Sequence, residues 1–164
     1  MKTKKCFNLV VLMIVAVSVF AGDGKNSFSG VWKLNKEKSP PANSQIFLSK
    51  ISFTIKNDSL LTVRTYENAN GDTYPFNENL TMDGKEYKIV IYDMPRKAKA
   101  HWSEEGSSLV IESTTTFRRD SGEEDFSSTE TWNTVENGTQ LTFDYIAKLS
   151  SGESKGTYYF IKSE

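Results

Sequence analysis

Residues 141–161 read LTFDYIAKLSSGESKGTYYFI, and their alternation decides the class of fold. Leu141, Phe143, Tyr145, Ala147 and Leu149 fall on one side of an extended chain and Thr142, Asp144 and Lys148 on the other, because successive side chains of a strand point to opposite faces. A turn at Ser151-Gly152-Glu153 leads into a second run from Thr157 to Ile161. Working outward, the same period of two recurs almost everywhere. Ile51, Phe53 and Ile55 alternate with Ser52, Thr54 and Lys56, and Leu61 and Val63 follow a turn at Asn57-Asp58-Ser59. Tyr87, Ile89 and Ile91 follow Asp83-Gly84-Lys85, and Ala98, Ala100 and Trp102 alternate with Lys97, Lys99 and His101. Beyond Glu104-Glu105-Gly106 come Leu109, Ile111 and a Thr-rich run to Phe117, then Phe126 to Trp132 ahead of Glu136-Asn137-Gly138. Asp-Gly, Asn-Gly and Gly-flanked tips at this spacing mark successive hairpins. No stretch shows the i, i+3, i+4, i+7 pattern of an amphipathic helix. About nine or ten antiparallel strands are expected, with about eight as a lower bound, and a sheet of that size removes its edges by closing. The expected fold is all-β, an antiparallel up-and-down barrel, with a two-sheet sandwich as the alternative. Asn35 to Gln45, with Pro40-Pro41, lacks alternation and is expected to be one long connection.

The 164-residue chain is 37% hydrophobic, 25% charged and 12% aromatic, which places it among globular proteins. Residues 1–21 read as a cleaved export leader: Lys2, Lys4 and Lys5, an apolar run from Leu9, and Val19-Phe20-Ala21 at the cleavage position. The apolar run is shorter than the roughly 20 residues that span a bilayer. Residues 22–164 are then one mature domain. Without the three leader lysines the chain holds 17 basic and 21 acidic residues, a net charge of −4, so no polybasic surface for nucleic acid is expected. The only cysteine, Cys6, precedes the apolar run, which argues against a lipid anchor and leaves no disulfide in the mature chain. The expected location is periplasmic or extracellular, with no transmembrane segment in the mature chain.

The segment Asn26-Ser27-Phe28-Ser29-Gly30-Val31-Trp32-Lys33-Leu34-Asn35, with Lys38-Ser39 after it, resembles the Gly-x-Trp first strand of lipocalins and other calycin barrels, most closely small secreted bacterial lipocalin-like proteins. Asp83-Gly84-Lys85, Thr131-Trp132 and Leu141-Thr142 fit the same pattern. The resemblance implies that Gly30 lets the chain pass close beneath the barrel floor while Trp32 plugs it. Where lipocalins cover that Trp with an Arg, this chain has no Arg after Arg119, and Lys162 is the substitute. Thr142-Phe143-Asp144-Tyr145 matches the lipocalin Thr-Asp-Tyr element loosely. The implied activity is binding of a small hydrophobic molecule inside the barrel.

Cofactor-binding signatures are missing from the sequence. It has one histidine, His101, no Gly-x-Gly-x-x-Gly and no phosphate-binding loop, so neither an enzyme, nor a metal site, nor a cofactor is expected. Acidic residues at Glu104-Glu105 and at Asp120 to Asp125 adjoin turns and read as solvated loops. Glu130 differs, because parity puts it on the inner face with Phe126, Ser128 and Trp132, where a charge needs a partner or water. Arg64 or Lys88 could supply one. Either the barrel holds a wet cavity with a polar anchor, or a one-residue bulge turns Glu130 outward.

Three functions are compatible with these features. The leading expectation is an exported soluble barrel that binds a small hydrophobic or amphipathic ligand through Glu130 and the aromatic residues Tyr87, Trp102, Trp132 and Tyr145. The alternative is a filled-core structural or interaction module of the cell envelope, meeting a protein partner through Tyr158-Tyr159 or the Phe47 region. An outer-membrane barrel ranks third, because charges such as Arg118 and Arg119 interrupt candidate lipid-facing runs.

Overall fold

The computed structural model describes residues 26–41, 46–120 and 122–163; the leader expected over residues 1–21 lies outside them. Among the described residues ten strands follow one another: β1 (Gly30–Leu34), β2 (Ile46–Lys56), β3 (Ser59–Asn68), β4 (Thr73–Thr81), β5 (Tyr87–Ile91), β6 (Met94–Trp102), β7 (Ser108–Arg119), β8 (Gly122–Val135), β9 (Gln140–Leu149) and β10 (Gly152–Lys162). They form one antiparallel sheet in the order β4-β3-β2-β1-β10-β9-β8-β7-β6-β5. Strands consecutive in sequence pair with one another except β4 and β5, β1 pairs with β10, and the seam of this nearly closed barrel therefore falls between β4 and β5. The expected up-and-down all-β barrel is the observed one.

The strand missing from the expected set is β4. Its residues Thr73-Tyr74-Pro75-Phe76-Asn77-Glu78-Asn79-Leu80-Thr81 present only Glu78 and Leu80 as buried positions, so a charge stands where the apolar alternation should continue, and Pro75 weakens the pattern further. Pro75 is tolerated because β4 borders the seam and needs no ladder on that side. The β5–β6 connection also lacks a strong turn signal. It is a two-residue hairpin at Tyr92-Asp93, with φ of 48° and 65°, between the paired Ile91 and Met94. A register shift between Leu48 and Lys50 puts a bulge in β2, which lets Leu48 and Ile51 both face inward although their spacing is odd.

Across the seam isolated contacts replace a continuous ladder: just after β4, Asp83 forms a single antiparallel bridge with His101 of β6, and the Gly84 amide donates to the Ala100 carbonyl at 3.0 Å. The Tyr92 hydroxyl donates to the Pro75 carbonyl at 2.6 Å near one end. The Thr81 and Tyr87 hydroxyls meet at 3.0 Å near the other.

The barrel is plugged at the end where β1 begins. Phe28, in the short 3-10 turn Asn26–Phe28, packs against Phe53 and Trp102, and its carbonyl accepts a 2.8 Å hydrogen bond from the Trp32 indole. Trp32, Phe53, Leu60, Leu109, Trp132, Leu141 and Phe160 are almost fully buried in one cluster. Lys162 sits opposite Trp32 in the β1–β10 ladder and carries its ammonium 5.1 Å from the centre of the indole. A Lys stem can follow apolar surface while its head stays solvated, so the ring is covered without burying a charge. Gly30 makes room for this. Its φ is +131°, and a Cβ there would stand 2.9 Å from Lys162 Cε.

The long connection begins as expected. The Asn35 side chain accepts from the Glu37 and Lys38 amides, and the Ser39 hydroxyl bonds to the Tyr159 backbone, tying the segment to β10. Ala42 to Gln45 lie outside the described residues.

Gly30→Ala should lower the unfolding free energy by about 1–3 kcal/mol, from backbone strain plus the displaced Lys162 stem. Gly71→Ala has the same sign of φ, +86°, but open space around the added methyl, and serves as the control. Equal shifts of the urea midpoint in the two variants would show that the Lys162 contact contributes nothing.

Candidate functional site

Above the apolar plug the interior turns ionic. β3, β4, β6 and β8 each point one charged side chain inward, and Arg64, Glu78, Arg96 and Glu130 are 0%, 1%, 7% and 5% exposed. Glu130 is held by a two-pronged pair with Arg64, Nη1 to Oε1 at 3.0 Å and Nη2 to Oε2 at 2.8 Å. Planar guanidinium and carboxylate fit each other in this geometry, which gives direction as well as attraction. The Trp132 indole donates to the same carboxylate at 3.1 Å. Glu78 receives Arg96 through Nε at 2.7 Å and Nη2 at 3.2 Å, and stands 3.3 Å from Arg64 Nε. The chain of contacts ends where Arg96 Nη1 donates to the Thr115 hydroxyl at 3.2 Å. Phe76 lies beside both guanidinium groups, 5.9 Å from Arg64 and 5.6 Å from Arg96, and stacks on Tyr66 at 5.8 Å.

Parity thus placed Glu130 on the inner face. Both ladders of β8 run past it without a register shift, so no bulge turns it outward. Its partner is Arg64; Lys88 points outward and is exposed.

Burial alone would raise the Glu78 carboxyl, but Arg64 and the hydrogen bonds from Arg96 outweigh it and hold the group below its ordinary value of 4.5. Burial alone would lower the Arg64 guanidinium, yet the carboxylates of Glu130 first and then Glu78 raise it above its ordinary range. Both groups are therefore charged at neutral pH. Desolvation also pushes the Tyr66 phenol upward, against the pull of Arg64, so it is neutral there.

Two clefts open above the ionic layer, at the end of the barrel away from the plug. The larger, about 530 Å³, is walled mainly by Tyr66, Phe76, Met94, Phe117 and Phe126, with Tyr74 and Tyr92 beside the seam and Arg96 and Thr115 as its polar residues. The smaller, about 210 Å³, lies between β2, β3 and β8 to β10, with Leu48, Phe143, Tyr145 and Tyr158 around Glu130. Ile46 and Tyr66 border both. Tyr145 reaches this cleft across Gly156, its ladder partner: a Cβ on Gly156 would stand 3.0 Å from the Tyr145 ring.

Of the residues expected to bind a ligand, the structure brings Glu130 and Tyr145 to the smaller cleft, and neither cleft is lined by Trp102, Trp132 or Tyr87. Trp132 is fully buried, stacked on Phe143 at 4.2 Å and packed against Phe53 and Phe160. Trp102 packs on Phe28 beside the plug, and Tyr87 pairs with Thr81 at the seam. Alternation gives a side chain's face but not its height along the barrel, and these three belong to the plugged end. Arg96 and Glu78, which sequence reasoning passed over, carried a usable signal. Each stands two residues before an inward position, Ala98 and Leu80, and so shares its face.

Comparison with family models, with curated proteins and with solved structures finds no match to this chain.

Glu78 is charged in the folded barrel below its ordinary value, so its stabilising contribution is complete above about pH 4.5 and is lost as the pH falls through its lower folded value. Glu78→Gln should cost about 3–5 kcal/mol at pH 7, because it leaves buried guanidinium charge unmatched. It should also flatten the fall of stability below pH 4.5. Parallel acid-unfolding curves of wild type and variant would contradict this.

Proposed function

We propose that this chain is an exported, calycin-like barrel that binds one small hydrophobic or amphipathic molecule and performs no covalent chemistry on it. The carrying observation is the larger cleft. Its size, its aromatic and aliphatic walls and its few buried polar atoms are those of small-molecule sites in general, where apolar surface supplies affinity and a fixed polar group supplies orientation. The lipocalin-like Gly30, Trp32 and Lys162 arrangement supports the calycin reading, and the leader motif supports export. The outer wall supports a water-facing barrel: Lys97, Lys99, Glu112, Thr129 and Lys148 alternate with the buried positions of β6 to β9, with Lys99 and Glu112 paired at 2.6 Å.

Native mass spectrometry of the protein purified from its own host should show a non-covalent adduct that is lost on denaturation. N-phenyl-1-naphthylamine should brighten on addition of the purified protein. Met94→Trp, which fills the larger cleft from β6, should weaken that probe at least tenfold while the circular dichroism spectrum is unchanged. A clean apo mass together with no probe response would instead favour the filled-core module and a protein partner.

A further inference from the structure

We propose that the larger cleft selects uncharged aromatic molecules carrying a hydrogen-bond acceptor, such as an aryl ketone, ester or ether, and rejects carboxylates. This deepens the reading just given and rests on it. The walls favour planar apolar groups: Tyr66 and Phe76 are stacked nearly parallel, at an interplanar angle of 7°, and Phe117 meets Phe126 edge to face at 6.1 Å. Offset and edge contacts of this kind are what an inserted aromatic ring would extend.

The polar end of the cleft decides the charge. Arg96 is more than nine-tenths buried and lines the cleft, so its charge is felt there with little screening. An isolated arginine in that position would draw a carboxylate. This one is already matched. Among the described residues the buried charges are Arg64, Arg96, Glu78 and Glu130, and they sum to zero. Glu78 occupies Arg96 Nε and Nη2, one of the two edges on which a guanidinium takes a carboxylate two-pronged, and Thr115 takes an N–H of Nη1 on the other. A ligand carboxylate would lose its hydration, add an uncompensated negative charge and face Glu78 across the same guanidinium.

Hydrogen-bonding capacity remains all the same. A guanidinium has five N–H groups, and Arg96 spends three, two on Glu78 and one on Thr115. The Thr115 hydroxyl accepts from Arg96 and so keeps its own proton to donate. These donors suit a neutral oxygen acceptor, which brings no charge into the layer.

The test measures binding of 2-acetonaphthone, 2-ethylnaphthalene and 2-naphthoate to the full mature protein at pH 7 by isothermal titration, with Met94→Trp locating the site. Acetonaphthone should bind at least tenfold tighter than naphthoate and severalfold tighter than ethylnaphthalene, and all three should weaken in Met94→Trp. In Glu78→Gln the layer gains one positive charge, and the ratio of naphthoate to acetonaphthone affinity should rise at least tenfold. Naphthoate equal to or tighter than acetonaphthone in the wild type overturns the charge rule and leaves the binding barrel standing. Ethylnaphthalene equal to acetonaphthone overturns the acceptor requirement. If no compound binds the wild type, the binding function falls, and this inference with it. The wild-type series decides the matter even where Glu78→Gln fails to fold.

Discussion

The pair between Arg64 and Glu130 joins β3 to β8, strands that lie five places apart in the sheet order and face each other across the interior. An ion pair this deeply buried is a poor source of net stability, since both partners surrender their hydration. Its geometric demand is strict, however. Two parallel hydrogen bonds tolerate little sliding, so opposite walls are held at one separation and one height. Glu78 and Arg96 extend the constraint to β4 and β6, and the result is a cross-brace at mid-height. Below it the side chains close into a solid aromatic core; above it the walls stay apart and the clefts exist.

That layering explains how much of the molecule was legible in the sequence. Strands with apolar inner faces announced themselves, as Leu141 to Leu149 does, and even Glu130 betrayed its direction through Phe126, Ser128 and Trp132. β4 stayed hidden for a physical reason: the residue that makes it important, Glu78, is the one that breaks its apolar period. Patterning detects burial through hydrophobicity, so a buried charge reads as a surface residue until its partner is known. That partner, Arg96, is adjacent in space through a fold that the pattern of β4 could not supply.

The candidate site was legible in part for a related reason. Aromatic residues on inner faces were the natural ligand contacts, and Tyr145 does line a cleft. Trp102 and Trp132 share the same parity but stand near the plug, where their rings fill space. Height along a barrel depends on strand stagger, and stagger is carried by turns and bulges such as the one after Leu48. A period of two holds no information about it. The plugged end was readable because Gly30, Trp32 and Lys162 form a local arrangement set by one pair of strands.

The pairing of β1 with β10 has a consequence for how the chain acquires its structure. The seam lies in the middle of the sequence, while the first and last strands meet in the middle of the wall. As the chain is synthesised, hairpins from β2 to β9 can form between neighbours, but one edge of β1 waits for β10, and Trp32 lacks its cover until Lys162 has been made. The longest loop in the fold is therefore closed last, with the largest entropic cost falling on a single late event. Until then the plug is open and its aromatic rings are exposed together, which makes the chain that still lacks β10, and not the short nascent one, the species most prone to aggregate.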